Sequence, residues 1–558
     1  MKTLQLLSLL IPGLVLNSAL LNAQTTVVEK TIPLSKSSSD GYFYQVKPAA
    51  DGSVAVTFEF SEKKIQKFEV YQVDSQLKLI TQTISEKEPV STGKIKEDYT
   101  RNAIWSSIGG SSSFDVLSSV IKVFKVTYKY TWNINQQKYN RKTGSIEKVV
   151  LKNVDDKNYE GYIAFGNDNN GELIALTSIM QQKNKQFSLL NIKTDLSVNE
   201  IPIKLNGNHT LVYAFAAQKN NESDDEFDIT DGDMVFIFAP KDKAADTKKY
   251  VYLRYDNSGK LLEQFDFTAP SPNLAITAGR LIDNNIFLFG SYTKSKDAFG
   301  LVFNEYGPIS SPGYAASDNT GSENYRMFKY NKAIENEEMV AMVCMKIAGS
   351  KIEWQKDYPI KEMEKFVQKA LNQKKAIVYD GRALAIQKFK VLSNGDMLVS
   401  GQISGRVSMG LGNSSKSYKK LICFHFDKSG NIRAQYGVEP ESINDKQNTI
   451  FPMVQDFILS SDGNTIYWMV LENESQQGYD GFVDAYNGTK SWWARYYPSM
   501  IQIDASKATL KDLEELGSRQ YYLNKRTPYV FSPENKNILF IGRDVKNKTL
   551  WLCRYPLN

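Results

Sequence analysis

Asn394-Gly395-Asp396 runs directly into Met397-Leu398-Val399-Ser400-Gly401, a tight turn followed by one strand's length of strand-forming residues. Asn-Gly supplies the positive φ that a short hairpin requires, and an apolar run bounded by turn residues reads as a buried strand. The same grammar returns along the chain. Asn170-Gly171-Glu172 precedes the apolar run 173–176, Asp231-Gly232-Asp233 precedes 234–238, and Asp462-Gly463-Asn464 precedes 465–469. Asn284-Asn285 plays the same part before 286–290. A second piece also recurs: residues 252–255 run into Asp256-Asn257-Ser258-Gly259-Lys260, and 422–426 run into Asp427-Lys428-Ser429-Gly430-Asn431.

Strand, hairpin, strand, hairpin, strand makes a small antiparallel sheet that cannot bury both faces alone. Stacking copies around an axis solves this, so the expected fold is all-β, a single β-propeller of four-stranded blades spanning residues 24–558. Clear units begin near 171, 232, 285, 395, 462 and 536, with less regular ones near 54–84 and 114–150. The expectation is seven or eight blades, with six also compatible. The last unit, near 537–555, could be completed by an amino-terminal strand near Tyr42 to Lys47.

Phe531-Ser532-Pro533-Glu534-Asn535-Lys536-Asn537-Ile538-Leu539-Phe540 resembles the F-S-P-D-G-K-x-I-x-F repeat of TolB-type, WD-repeat-like propellers. Ile458-Leu459-Ser460-Ser461-Asp462-Gly463-Asn464-Thr465-Ile466-Tyr467 resembles a second copy, without the Pro, and residues 391–396 a shortened third. The resemblance covers the carboxy-terminal third and implies a propeller. The style of the whole also resembles exported envelope proteins of Bacteroidota.

Two segments break the β pattern. In 360–371, Ile360, Met363, Phe366, Val367, Ala370 and Leu371 share one helical face, and 504–517 carries Leu510, Leu513 and Leu516 at helical spacing. Both are expected as short helices inserted between strands.

At the amino end, Met1-Lys2 leads into a mostly apolar stretch, 4–21, broken by Pro12-Gly13, with Ala19 and Ala23 as small residues before Gln24. A basic start, short apolar region and small-residue exit predict a signal peptide over 1–23, and hence export to the periplasm or cell surface. No cysteine follows the apolar run, and no later stretch is suited to span a membrane. The net charge of +6 is small against 68 basic and 62 acidic residues, a mixed surface that argues against nucleic acid as a partner. Cys344, Cys423 and Cys553 each sit in an apolar run and read as small buried hydrophobes, with one disulfide left open.

Chemistry is sparse. Cys423 and His425 alternate on one strand and so share a face, but Leu421 to Phe426 looks like an ordinary blade strand. His209 lies in an Asn-Gly turn and is expected at the surface. There is no G-x-S-x-G elbow, phosphate loop or paired-cysteine zinc site. The acidic run Glu222-Ser223-Asp224-Asp225-Glu226-Phe227-Asp228, continuing to Asp231 and Asp233, is the one place oxygen ligands could hold calcium. Its spacing misses the calcium-loop pattern, so no cofactor is expected. Ser491-Trp492-Trp493-Ala494-Arg495-Tyr496-Tyr497 is the densest aromatic stretch, and Trp105 lies in a partly apolar segment. Trp105, Trp492, Trp493, Arg495, Tyr496 and Tyr497 are the candidate contacts for a partner or a glycan, because Trp, Tyr and Arg dominate interfaces. Three readings follow: a non-catalytic envelope scaffold that binds protein, a hydrolytic propeller with carboxylates at its central funnel, and a glycan-binding surface protein.

Overall fold

The computed structural model describes residues 27–62, 65–86, 98–106, 121–133, 138–150, 159–167, 172–181, 184–193, 197–216, 233–240, 249–256, 258–269, 274–294, 338–410, 413–440, 453–478, 491–523, 529–532 and 536–557. They form eight sheets in succession, antiparallel but for one two-residue pairing, which we number I to VIII. Sheet I is Tyr42–Pro48, Val54–Glu62, Ile65–Val73 and Leu79–Ser85. Sheet II has three strands, Asp98–Ser106, Ile121–Asn133 and Lys138–Val150, and sheet III runs from Tyr159–Asn167 to Val198–Ile203. Sheet IV starts at His209–Ala216 and ends with Leu261–Thr268, and sheet V starts at Leu274–Ile282 and ends with Lys351–Pro359. Sheet VI comprises Leu384–Val391, Met397–Gly410, Asn413–Phe426 and Ile432–Val438. Sheet VII comprises Val454–Leu459, Thr465–Gly478, Ser491–Asp504 and two short outer pieces, Thr509–Leu510 and Glu514–Glu515.

Neighbouring sheets share apolar cores. Phe424, Met397 and Phe389 of sheet VI meet Phe289, Met342 and Cys344 of sheet V. The other face of sheet VI, with Leu421, Cys423 and Tyr436, meets Trp468, Ile501 and Ile503 of sheet VII. The first strands of sheets IV to VII lie beside one another in order, forming the inner wall. This is a β-propeller, as the recurring turns predict.

The ring is closed by the amino-terminal strand. Val28–Pro33 pairs with Thr549–Pro556, and Asn537–Asp544, Tyr529–Ser532 and Tyr521–Leu523 complete sheet VIII. Tyr42 to Lys47, expected in that role, instead opens sheet I. Between the two strands stands the five-residue helix Lys36–Asp40, whose start is capped by Ser35 Oγ accepting from Ser38 N at 3.1 Å. The helix is anchored by buried Glu69, whose carboxylate accepts from Ser35 Oγ, Ser38 Oγ and Gln82 Nε2.

In sheets I, V, VI and VII the turn from first to second strand and the turn from third to fourth lie at one edge, as does the turn from third to fourth in sheet IV. The positive-φ residues Gly52, Gly259, Gly395, Gly430 and Gly463 all sit there. In the first of the quoted turns Gly395 N donates to Leu392 O at 2.8 Å, and Leu392 N to Asp396 O at 2.8 Å. The turns at 171 and 232 lie outside the described residues. At the opposite edge lie the end of each second strand and the start of each third.

Helical structure in the two inserted segments is short and 3-10 in type. Ile360–Phe366 forms about two turns, burying Ile360 and Met363, and then Val367–Gln368 pairs in parallel with Ile432–Val438. In 504–517 the helix is displaced to Gly517–Arg519. Asp504 Oδ1 accepts from Ser506 N and Lys507 N at 2.9 Å each, Ala508 takes φ 54°, and the chain returns as strand. Leu510 then enters the core between sheets VI and VII, and Leu516 the core between VII and VIII. Among the described residues no helix is long and apolar enough to cross a membrane.

Candidate functional site

In sheet VII, the first strand pairs only with residues 466–471 of the second, and the outer pieces pair only with residues 499, 500, 503 and 504 of the third. Residues 472–478 and 491–497 therefore pair with each other alone, as a two-stranded arm standing beyond the blade. Sheet VI has the same feature: 405–410 and 413–417 pair beyond the reach of their neighbours. Both arms stand at the edge opposite the tight glycine turns.

An isolated two-stranded hairpin is marginal in water, so an arm needs support at its base. Sheet VII supplies it from side chains on one face of the hairpin. Glu472 lies opposite Tyr497, and Glu474 opposite Arg495. Glu472 is fully buried (0% exposed), accepts from Ser499 Oγ at 2.8 Å, and is bound by the Arg519 guanidinium. Arg519 also donates from Nε to Glu515 Oε1 at 2.9 Å and sits 5.9 Å over the Tyr497 ring. Tyr497 Oη donates to Glu474 Oε2 at 2.9 Å; burial, with the Glu474 charge beside it, pushes that phenol up to about 12. Arg495 stacks 5.1 Å over the Tyr522 ring of sheet VIII.

The backbone that delivers Arg519 is unusual. Gly517, Ser518 and Arg519 have φ of 69°, 47° and 55°, three successive left-handed residues of which two carry side chains. Such conformations persist where surroundings over-determine them. Here Gly517 N donates to Glu29 Oε1 at 3.2 Å, and Trp551 Nε1 donates to Glu29 Oε2 at 3.0 Å. Glu29 belongs to the closing strand, so ring closure and the base of the arm share one carboxylate.

Of the residues singled out in the sequence, Arg495, Tyr496 and Tyr497 fall in this arm. Tyr496 is buried in the core between sheets VII and VIII, and Tyr497 on the opposite face in the cluster just described. Trp492 and Trp493 lie further out on the same strand, opposite Gln477 and Gln476, and Trp105 lies in sheet II opposite Lys122. Their side chains are outside the described residues. Glu472 and Arg519, 47 positions apart, were not singled out. The available signal is alternation: Glu472 and Glu474 continue the core face begun by Trp468 and Val470.

The nucleophile and base candidates lie elsewhere. Cys423 and His425 do share a face, but His425 Nε2 meets Asp396 Oδ2 at 3.1 Å and Nδ1 meets Tyr436 Oη at 3.0 Å. The Cys423 thiol points to its neighbour's carbonyl, Phe424 O, at 3.8 Å, and burial pushes it well above the ordinary thiol range. Asp396 is also bound by Arg433, which donates to Ala505 O and Ser506 O in sheet VII. This network ties two turns together. The cysteines are all free and buried, with no disulfide among them. His209, expected at the surface, is the first residue of its strand and buried, with Nδ1 3.2 Å from Gly207 O. Of the acidic run, 222–232 lies outside the described residues; Asp233 is buried and held by Arg254 Nε at 2.7 Å.

On the inner wall, the described side chains of the first strands include one carboxylate, Asp456. Lys388 and Lys390 of sheet VI reach its Oδ1 at 3.0 and 3.1 Å, and Phe457 N donates to it at 2.7 Å. Burial alone would raise this carboxyl, but the two ammonium groups and the amide outweigh it and hold it below the usual range. A folded-state value below the unfolded one, about 3.9, contributes stability that is present above that value and lost as pH falls through the folded one. Asp456→Asn is therefore expected to destabilise at pH 7, with the gap from wild type closing below about pH 4. Denaturant midpoints across that range read it out.

No protein-family model matches the chain, and no curated protein matches it. Among solved structures it is similar to the β-propeller domain of the Trilobed protease from Pyrococcus furiosus, at 7% identity and TM-score 0.23, over 94% of this chain and 97% of that one. It is also similar to polysaccharide lyase Uly1, at 9% identity and TM-score 0.26, over 96% of this chain and 100% of that one. A mutant of the Synechocystis apocarotenoid oxygenase aligns at 9% identity and TM-score 0.26, over 88% and 94%. At such scores these likenesses carry no argument, and the fold rests on the sheets themselves.

Proposed function

We propose that the protein is an exported, non-catalytic propeller that binds a protein partner of the bacterial envelope through the arm of sheet VII. The observation that carries this is the arm itself, a two-stranded projection bearing Trp492, Trp493 and Arg495 and braced at its base by Arg519 and Glu472. Trp, Tyr and Arg are the residues that concentrate binding energy at interfaces, and a rigid base spares a partner the cost of ordering them. The placement of reactive groups supports the same reading. His425 and the three cysteines are packed in the core, and the inner-wall carboxylate Asp456 is neutralised by two lysines. The signal-like amino end supports export, and the TolB-like repeats agree with an envelope setting.

The test is affinity capture of the mature protein from its own envelope, with Trp492→Ala/Trp493→Ala beside wild type. Wild type is expected to retain one stoichiometric envelope protein. The double variant should weaken that complex about 30-fold or more, as loss of interface Trp anchors does, with an unchanged thermal midpoint. Isolation without any partner, as a protein that cleaves an oligosaccharide, would overturn the proposal.

A further inference from the structure

Among the described residues the outer edges of sheets III, IV, V, VI and VIII are protected, and that of sheet I is not. Outer strands are the exposed rims of a propeller, and exposed edges invite pairing unless charge, proline or a covering segment blocks them. Val198–Ile203 carries Glu200 and Pro202, Leu261–Thr268 carries Glu263 and Asp266, and Lys351–Pro359 carries four charged residues and a terminal proline. Ile432–Val438 carries Arg433 and is flanked by Val367–Gln368, and Val28–Pro33 carries Glu29, Lys30 and Pro33. Leu79–Ser85, the outer strand of sheet I, reads Leu-Ile-Thr-Gln-Thr-Ile-Ser: no charge and no proline. No further strand pairs with it among the described residues. Six of its seven residues are exposed, and Ile80 and Ile84 stand 54% and 58% open to solvent.

This strand is also very nearly the same read in either direction about Gln82: Ile80-Thr81-Gln82-Thr83-Ile84. Antiparallel strands related by a two-fold axis pair a residue with its mirror position. With the axis at Gln82, Ile80 faces Ile84 of the second copy, Thr81 faces Thr83, and the reverse pairs repeat on the other side. Directly opposed β-branched pairs are the favourable unit of sheet stabilisation. Gln82 is held back from the edge, its amide donating to Glu69 Oε1 at 2.7 Å. Ile80, Gln82 and Ile84 share one face of the strand, which leaves the two isoleucines flanking a fixed centre.

We infer that Leu79–Ser85 is a homodimer interface, joining the four-stranded sheets I of two copies into one eight-stranded antiparallel sheet across a two-fold axis at Gln82. The occupant is a second copy because the strand complements itself; a foreign strand would have no reason to meet a palindrome. One strand from each side is a small contact, at the lower end of specific interfaces, so the dimer is expected to form in the micromolar range.

The experiment measures mass by sedimentation equilibrium of the full mature protein at about 1 to 100 μM, spanning that range. Wild type should dimerise. Ile80→Lys/Ile84→Lys puts lysine opposite lysine at both pairs and should raise the dissociation constant at least about tenfold, since directly opposed like charges destabilise a strand pair. Ile80→Glu/Ile84→Lys puts opposite charges at the same two pairs and should restore the dimer. Circular dichroism confirms that these surface variants keep the fold. Wild type that stays monomeric throughout, a Lys/Lys variant as dimeric as wild type, or a Glu/Lys variant no better than Lys/Lys each overturns the inference.

Discussion

Gly401→Ala is expected to cost about 3 kcal/mol, at the upper end of what an added core methyl costs, because the new atom meets backbone. A Cβ at Gly401 would stand 2.2 Å from Ala385 O, 2.8 Å from Ala385 C and 3.0 Å from Ile386 Cα. These belong to the first strand of the same sheet, so relief requires parting a hydrogen-bonded ladder rather than turning a rotamer. The close approach has a local cause. The first strand of sheet VI carries a bulge between Ile386 and Lys388, opposite Gly401 and Ser400. Sheet V repeats it: a bulge between Ile276 and Ala278 faces Gly290, whose Cβ would meet Ala275 O at 2.3 Å. Bulges sharpen strand twist, and here they do so along the inner wall, with glycine admitting the bent strand. Gly463→Ala is the control. Gly463 has φ 73° and nothing within 4 Å of a Cβ, so it pays only for the left-handed backbone, about 1 kcal/mol. Equal denaturation midpoints for the two variants would remove the inner-wall contact from the account.

The tight-turn edge of this molecule is legible in its sequence, and the opposite edge much less so. Turns such as 394–396 and 427–431 need positive φ at one place, which favours Gly there and prints similar letters in several of them, although Leu77 takes that place in the matching turn of sheet I. The arms of sheets VI and VII, by contrast, read simply as strand. The closing strand is hard to read for a physical reason: Val28–Pro33 has two charged residues in its middle, as an outer strand should, while Tyr42–Pro48 opens on three aromatic residues and has the more strand-like composition. Leucines three apart at 510, 513 and 516 fit a helix equally well as a chain that crosses from one core to the next. Glu472 and Arg519 meet only because a connection between two blades folds back over the arm, and sequence separation hides that.

That fold-back makes Arg519→Ala the more consequential substitution near the site. Glu472 is fully buried, and without Arg519 its one remaining partner among the described residues is the Ser499 hydroxyl. Breaking a buried pair by removing one member leaves an uncompensated charge and typically costs about 3–5 kcal/mol. Arg519 is 30% exposed, so water can partly take its place, and a loss of about 2–4 kcal/mol is expected. Arg519→Lys should recover only part of it. One ammonium cannot reach Glu472 and Glu515 while lying over the Tyr497 ring, which the planar guanidinium does at once. Adding Glu472→Gln to Arg519→Ala removes the stranded charge and should return most of the stability, giving the pair a coupling energy well above the few tenths typical of independent sites. Chemical denaturation of the four proteins completes the cycle. An Arg519→Ala cost within about 0.5 kcal/mol of wild type, the range of ordinary surface changes, would show that the arm needs no brace. With the brace removed and the fold intact, the outer part of the arm, residues 475–478 and 491–494, should also lose hydrogen-exchange protection before any other part of sheet VII, because these residues pair with each other alone.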